Sequence, residues 1–430
     1  MSSVPTVSPD TWRRWNPESS LALIRLKALT LIMASGDEGI ASWPALTYEQ
    51  RPWVARGEGA SRSALRAHSG PYFAAVVPPI RDVSVPIAPR VQAIAEEAAA
   101  HLARIDAELR VGGIAPLPAV LLRTESATSS QIERLTASAR ALASAEAGET
   151  SGTNAKLILA NVRAMERALK HEGPVTVDSL IDVHDVLIEP DEAHAPGLRA
   201  EQVWIGGTRL GPHRATYVAP HHERVPAAMA DLIAFCDRVD VPVVAKIAIA
   251  HAQFETIHPF TDGNGRTGRA LIHMMLRESE LTIGSTIPVS AGLLHRTEDY
   301  FEALTAFRAG HHEPIIEQVA EASIFAVTLT RKLVTELARL RADWSGRIRA
   351  RRGASAWVLA DALPGNPVMT AEVAQRLLGV STPSVYVAIS ALEAAGVLTP
   401  RTTGRRNRIW DAREVLTVLD AFADSARRGD

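Results

Sequence analysis

Cysteine occurs once in the 430 residues, at Cys236, which excludes an internal disulfide and any cysteine-rich zinc site. That scarcity fits a reducing compartment, with the cytoplasm as the expected location. Lysine is almost as rare: Lys27, Lys156, Lys170, Lys246 and Lys332 are all there are, so arginine carries nearly all the positive charge. Neither sign dominates, with 46 basic against 48 acidic residues and a formal charge of −2. Net charge therefore gives no global reason to expect nucleic acid or an anionic membrane surface. No uncharged apolar run reaches the roughly 18 residues that a membrane-spanning helix needs, and no membrane partner is expected. The segment Leu21 to Gly36 comes nearest to an export signal. Arg25 and Lys27 interrupt it, Asp10 and Glu18 precede it, and it reads as a buried helix. A content of 47% hydrophobic and 22% charged residues is that of an ordinary globular protein, long enough for two or three domains.

Residues 1–85 are irregular by pattern, with Trp12, Trp15, Trp43 and Trp53 among Pro and Gly and one helical run near residues 19–34. From Pro89 the chain turns helical: Val91, Ile94, Ala98, Leu102, Ile105 and Leu109 recur at spacings of three and four, one face of an amphipathic helix. Similar spacing continues to about residue 280, and a long helical stretch spans about 313–348. One segment breaks the rhythm. QVWIGG (202–207) and ATYVA (215–219) are short β-favouring runs around Gly206, Gly207, Gly211 and Pro212, which predicts a hairpin projecting from the helices. The basic run Arg347, Arg349, Arg351, Arg352 then looks like a hinge into a C-terminal module. The expected class is mainly α. Its divisions are an irregular region (1–85), an N-terminal helical region (86–150), a helical core (151–348) and a winged helix-turn-helix (354–430).

The chemistry concentrates in residues 258–269, HPFTDGNGRTGR, where a glycine-rich turn leads directly into the apolar helical run from Ala270 to Leu276. A helix start presents unpaired backbone amides and the positive end of the macrodipole. Gly263 and Gly265 let an anion approach them without a Cβ in the way. Arg266 and Arg269 lie three apart on that helix, where two guanidinium groups can hold a di- or triphosphate. Asp262 is placed to hold a Mg²⁺ bridging phosphate oxygens. His258 is suited to deprotonating a hydroxyl that attacks phosphorus. An EF-hand is excluded because loop positions five and twelve are Arg266 and His273, and no GxxxxGK[ST] phosphate loop occurs. Together the pieces make a nucleotidyl-transfer site.

These residues resemble the full signature of the Fic family, HxFx(D/E)GNGRxxR. HAQFETIHPF, QVWIGG and the Gly197 to Arg199 lead-in extend the resemblance over roughly residues 65–330. The family implies a helical bundle with a β-hairpin flap whose members mostly transfer AMP from ATP to a protein hydroxyl. Carried over, the resemblance makes His258 the general base and Asp262 the magnesium ligand. Gly263, Asn264 and Gly265 would form the anion hole, Arg266 and Arg269 would bind the outer phosphates, and Phe260 would pack under the loop. Tyr300, Phe301 and Arg308 fall where the family places nucleotide contacts. The flap, through Trp204, Ile205, Gly206, Tyr217 and Val218, would hold the target's hydroxyl-bearing segment by strand addition.

SSQIE (129–133) is similar to the family's inhibitory motif (S/T)xxxE(G/N), with Arg134 where Gly or Asn is usual. The resemblance implies that Glu133, beside Ser129, pairs with Arg269 and takes the donors meant for the γ-phosphate. Near the C-terminus, Thr370 to Leu378, Gly379 and Ser381 to Ala395 have helix-turn-helix spacing. A wing would follow, bearing Arg401, Arg405, Arg406 and Arg408 around Gly404, and DNA is the partner to be tested there. The expected activity is adenylyl transfer from Mg·ATP to a Ser, Thr or Tyr hydroxyl. Removal of AMP, transfer of another nucleotide-derived group, and a DNA-binding regulator that senses nucleotide are the alternatives. Self-modification and a homodimer are left open.

Overall fold

The computed structural model describes residues 43–57, 59–112, 117–149, 152–189, 196–401 and 408–428. The expected helix at 19–34 and the wing-tip arginines Arg405 and Arg406 lie outside the described residues.

The first described elements correct the reading of residues 1–85 as irregular. Strands β1 (Thr47–Trp53) and β2 (Gly70–Val76) pair antiparallel from Thr47 opposite Val76 to Trp53 opposite Gly70, with helix α1 (Arg62–Ala67) between them. The sequence TYEQRPW gives no alternating apolar signal because β1 is an edge strand carrying a proline and exposed on most of its length. The burial comes instead from β2, whose Tyr72, Ala74 and Ala75 are buried.

Helices follow as expected: α2 (Pro89–Gly112), α3 (Leu117–Ile132), α4 (Ala139–Glu146), α5 (Thr153–Leu169) and α6 (Val177–Ile188). The hairpin is present as β3 (Trp204–Ile205) paired with β4 (Tyr217–Val218), with Trp204 opposite Val218. Next come α7 (Val225–Cys236), α8 (Val243–Ile257), α9 (Asn264–Glu278), α10 (Val289–His295), α11 (Thr297–Arg308) and the 35-residue α12 (Glu313–Arg347). Helix α8, VVAKIAIAHAQFETI, is buried almost all round from Val244 to Ile257 and so runs through the centre. Packed against it, α9 is buried from Arg266 to Leu276. The functional loop is the connection between these two central helices.

Helix α12, about 50 Å long, serves two hydrophobic cores. Ile315 to Val327 join the core built on α8 and α9, whereas Leu329, Leu333, Leu337 and Trp344 join a second core with the C-terminal elements. Those elements are α13 (Ser355–Ala362), β5 (Val368–Thr370), α14 (Ala371–Leu378), α15 (Thr382–Ala394), β6 (Thr399–Pro400), β7 (Ile409–Asp411) and α16 (Arg413–Arg428). The three strands form a sheet in the order β5-β7-β6. Helices α14 and α15 meet at 106° across Gly379, which is within the range of a helix-turn-helix. Arg401 and Arg408, which flank the expected wing, are engaged within the chain. Arg401 bonds to Asp411, Ser144 and Glu149, and Arg408 lies over Trp410 and pairs with Glu393. Arg401 therefore fastens the module to α4 and its following turn rather than reaching outward, which corrects its expected place among the wing's phosphate contacts. Among the described residues no single helix is long and apolar enough to cross a membrane.

Candidate active site

Helix α8 ends at His258, whose backbone is left-handed (φ 51°). Such a conformation strains a residue with a Cβ by about 1–3 kcal/mol and persists only where the surroundings impose it. Arg199 imposes it. Its Nε donates to the His258 carbonyl at 2.8 Å and its backbone N–H to the Pro259 carbonyl at 3.0 Å. The remaining guanidinium donors reach the carbonyls of Glu201, Pro220 and Ile257. Burial lowers this guanidinium to a pKa of about 10, still charged at neutral pH. Although GLR at 197–199 belongs to the resemblance, nothing in the sequence marked Arg199 as the grip on the catalytic loop.

The imidazole of His258 is oriented by its own helix. Nδ1 lies 3.4 Å from the Glu255 carbonyl, the partner that places a proton on Nδ1 and leaves the Nε2 lone pair free. Burial lowers the His258 pKa to about 3, with Arg308 and Arg199 adding to the effect, so the ring is a neutral base at physiological pH. Arg308 thus stands beside the base. Its guanidinium carbon lies 3.8 Å above the Tyr217 ring and its Nη2 donates to the Glu255 carbonyl at 3.3 Å.

The turn that follows is closed from within. Phe260 is fully buried and stacks on His184 of α6 at 3.7 Å, the rings nearly parallel at 4°. The His184 Nε2 faces the Asp262 carbonyl at 3.0 Å. A lone histidine on an apolar helix reads as core, which is why sequence reasoning missed its part in shaping the loop. The Asn264 side chain is spent on the loop too, accepting from Phe260 N–H and donating to Phe260 O, both at 2.9 Å. Its backbone remains for the expected anion hole. Gly263 is left-handed (φ 73°) and starts α9. A Cβ on Gly265 would sit 2.4 Å from Glu133 Oε1 and 2.8 Å from Arg269 Nη1, so only glycine leaves room above the helix start.

Into that room projects Glu133. Its Oε1 accepts from Arg269 Nη2 at 2.8 Å, and its Oε2 lies 2.8 Å from Arg266 Nε. The second contact is an ion pair without hydrogen-bond alignment. Ser129 completes the hold on Arg269, its Oγ accepting from Nε and its carbonyl from Nη2. The two arginines and the glycine-capped helix start thus converge on one point, which a carboxylate occupies. Asp262 is half-exposed and turns one oxygen toward Arg266 Nη2 at 3.3 Å. An accessible carboxylate beside two arginines and a helix start fits a magnesium ion that would take its other ligands from phosphates and water.

The helix carrying Glu133 is pinned by buried polar groups that the sequence did not announce. Glu125 accepts from Ser290 N–H at 2.9 Å and from its hydroxyl, and faces His273 at 3.1 Å. Asn161 donates to the Ser126 carbonyl at 2.8 Å. One expected nucleotide contact also stands elsewhere. Tyr300 is 1% exposed and its hydroxyl meets His251 Nε2, so it supports the core beneath Arg269 rather than lining the cleft. Phe301, beside it, is half-exposed. In the flap, Trp204, Ile205 and Gly206 reach the surface. Tyr217 is buried with its hydroxyl on the Thr256 carbonyl, which leaves only its backbone for strand addition.

The model of the Fic/DOC family matches residues 174–276, a span that contains His258, Asp262, Arg266 and Arg269. Over that span the chain carries a Fic domain. The Fic fold extends well beyond that span. A crystal structure of a Fic family protein from Desulfovibrio desulfuricans G20 superposes with a TM-score of 0.50 at 21% identity, covering 78% of this chain and 98% of that one. Among curated proteins, the protein adenylyltransferase fic-1 of Caenorhabditis briggsae is 30% identical over 182 residues, 41% of this chain and 32% of that protein. A probable protein adenylyltransferase of Aquifex aeolicus is 54% identical over 41 residues. The chain thus spans about a third or less of the curated relatives' lengths.

Proposed function

We propose that this Fic site transfers AMP from Mg·ATP to a Ser, Thr or Tyr hydroxyl of a protein and that Glu133 holds it in check. One observation carries the reading: a carboxylate from α3 sits where two arginines and a helix start converge, the place of an anion. With that carboxylate withdrawn, Arg269 and Arg266 keep their donors directed at the same point and the γ- and β-phosphates satisfy them. The backbone amides at Gly263 to Gly265 then face the phosphate chain, where charge grows as the bond to the leaving group breaks.

The chemistry follows from the His258 lone pair. The target hydroxyl loses its proton to Nε2 while its oxygen bonds to the α-phosphorus. The bond between that phosphorus and the oxygen bridging to the β-phosphate breaks, and pyrophosphate departs. No covalent enzyme intermediate is required. Asp262 would hold the magnesium ion, which when bound draws negative charge from the phosphate oxygens. Arg199 and the Glu255 carbonyl keep the imidazole in place. The relatives named adenylyltransferases support AMP as the transferred group. The test is mass spectrometry of protein incubated with ATP. Glu133→Gly should show a gain of AMP on itself or on an added protein, and Glu133→Gly/His258→Ala should show none. Equal labelling of the two variants refutes the mechanism.

A further inference from the structure

Beyond the flap, on the segment leading into α7, stand His221, His222 and Glu223. The two imidazoles lie side by side with ring centroids 4.1 Å apart. The Nδ1 atom of each is shielded from water and has no hydrogen-bond partner. A buried polar atom left unpaired costs about 1–3 kcal/mol, so two of them on neighbouring imidazoles call for a guest. Glu223 supplies the third group. Its Oε2 lies 3.2 Å from His221 Nδ1 without the alignment of a hydrogen bond. One donor atom from each of the three residues falls within 4.8 Å of the others. A tetrahedral ion with bonds of about 2.0 Å has ligand-to-ligand edges of about 3.3 Å, close to the contact already present.

We propose that His221, His222 and Glu223 form a binding site for a divalent transition-metal ion of the zinc class, through two Nδ1 atoms and one carboxylate oxygen. Two imidazoles with a single carboxylate suit zinc and its neighbours and disfavour magnesium and calcium, which take oxygen ligands. Two arginines border the site, but Arg224 and Arg51 hydrogen-bond to Glu49, and Arg51 approaches Glu223 only to 3.5 Å. Three protein ligands leave the fourth position to water. The location gives the ion a lever, because the residue before His221 is Pro220, whose carbonyl Arg199 grips at 2.6 Å while holding the His258 carbonyl. Bound metal would stiffen the chain one residue from an anchor of the catalytic loop.

The site does not depend on the transferase reading, and its test does not use activity. Chelator-treated full chain is titrated with ZnCl2 in excess Mg²⁺ by calorimetry, and metal content is measured after dialysis. One zinc per chain, with a rise in Tm on binding, is the expected result. Affinity should fall by at least about tenfold in His221→Ala and in His222→Gln, and binding should vanish in the pair. Circular dichroism without metal shows whether the variants fold, and Glu223→Gln, at an exposed position, serves as the conservative check. Failure of wild-type chain to retain zinc, or unchanged stoichiometry in the double variant, overturns the proposal.

Discussion

Replacing Arg134 by glycine should strengthen the brake. Helix α3 ends in a Schellman arrangement: Leu135 N–H reaches back to the Ser130 carbonyl at 3.0 Å and Arg134 N–H to the Gln131 carbonyl at 2.8 Å. Glu133 is then the C-cap, and Arg134 occupies the next position in the left-handed region (φ 65°). Glycine takes that conformation freely and asparagine tolerates it, which gives a physical reason for the Gly or Asn that usually follows the inhibitory glutamate. Arginine there is strained by about 1–2 kcal/mol. If letting go of Arg269 unwinds this last turn, the strain is relieved on release and biases the protein toward the active state. Recovering about 1 kcal/mol in Arg134→Gly corresponds to roughly fivefold less basal AMP transfer. Arg134→Asn should fall between wild type and glycine. The assay is a double-mutant cycle on initial rates of transfer. Arg134→Gly acts in the wild-type background and is without effect once Glu133→Gly has removed the carboxylate. An equal effect in both backgrounds, or a gain of activity in the first, refutes the reasoning.

Other consequences follow from the same groups. Glu133→Gly leaves Arg269, itself 2% exposed, without its carboxylate, so the variant should lose about 2 kcal/mol without nucleotide and show a larger ATP-induced rise in Tm than wild type. Equal ATP shifts would contradict the shared anion site. Glu255 is buried and its pKa is pushed from 4.5 up to about 7, a change worth at most about 3 kcal/mol. Since the folded-state value is raised, the group's stability is intact below pH 4.5 and is lost as pH rises through 7. Glu255→Gln should therefore match wild type in urea unfolding at pH 4.5 and exceed it at pH 8; a pH-independent difference refutes this. His258, with its pKa lowered to about 3, stays unprotonated down to pH 5. An ordinary imidazole would be about 97% protonated there. In the Glu133→Gly protein, kcat/KM for ATP should then fall less than about threefold between pH 7 and pH 5, and a loss of about twenty-fivefold would show an unperturbed base.

The parts of the site that lie in one stretch of sequence were legible. Residues 258–269 carry the turn, the helix start and both arginines within one short stretch, so their spacing alone brings these groups together. Glu133 was readable as a candidate only through its motif, because its meeting with Arg269 joins residues 136 apart. What stayed hidden depends on packing. His184 and Arg199 act through backbone carbonyls of the loop, and any residue offers a carbonyl, so no pattern betrays which one is gripped. Tyr300 failed for the opposite reason. An aromatic residue at helical spacing is compatible with core or cleft, and only the position of His251 decided for the core. The β1–β2 hairpin escaped because half of it is an exposed edge, where burial imposes no alternation.

The anchoring of α3 also decides where the brake can open. Withdrawing the whole helix would separate Glu125 from Ser290 and His273 and strip Asn161 from Ser126. Breaking a buried charged network of that kind costs about 3–5 kcal/mol. At its other end α3 is held as well, with Leu117, Val120 and Leu121 in the core shared with the C-terminal elements and Arg123 bonded to the Gly365 carbonyl at 2.6 Å. The turn at Glu133 and Arg134 is held by backbone hydrogen bonds from Glu133 and Leu135 to Ser130 and from Arg134 to Gln131, together with the contacts of Glu133 with Arg266 and Arg269, and it carries a left-handed residue. The cheapest release is thus unwinding of that turn, beyond the Asn161 anchor, with the rest of the helix standing still. A signal arriving through the C-terminal elements meets α3 on the far side of Glu125. To reach Glu133 it must first disturb the Glu125 network, whereas an anion competing for Arg269 would meet the turn directly.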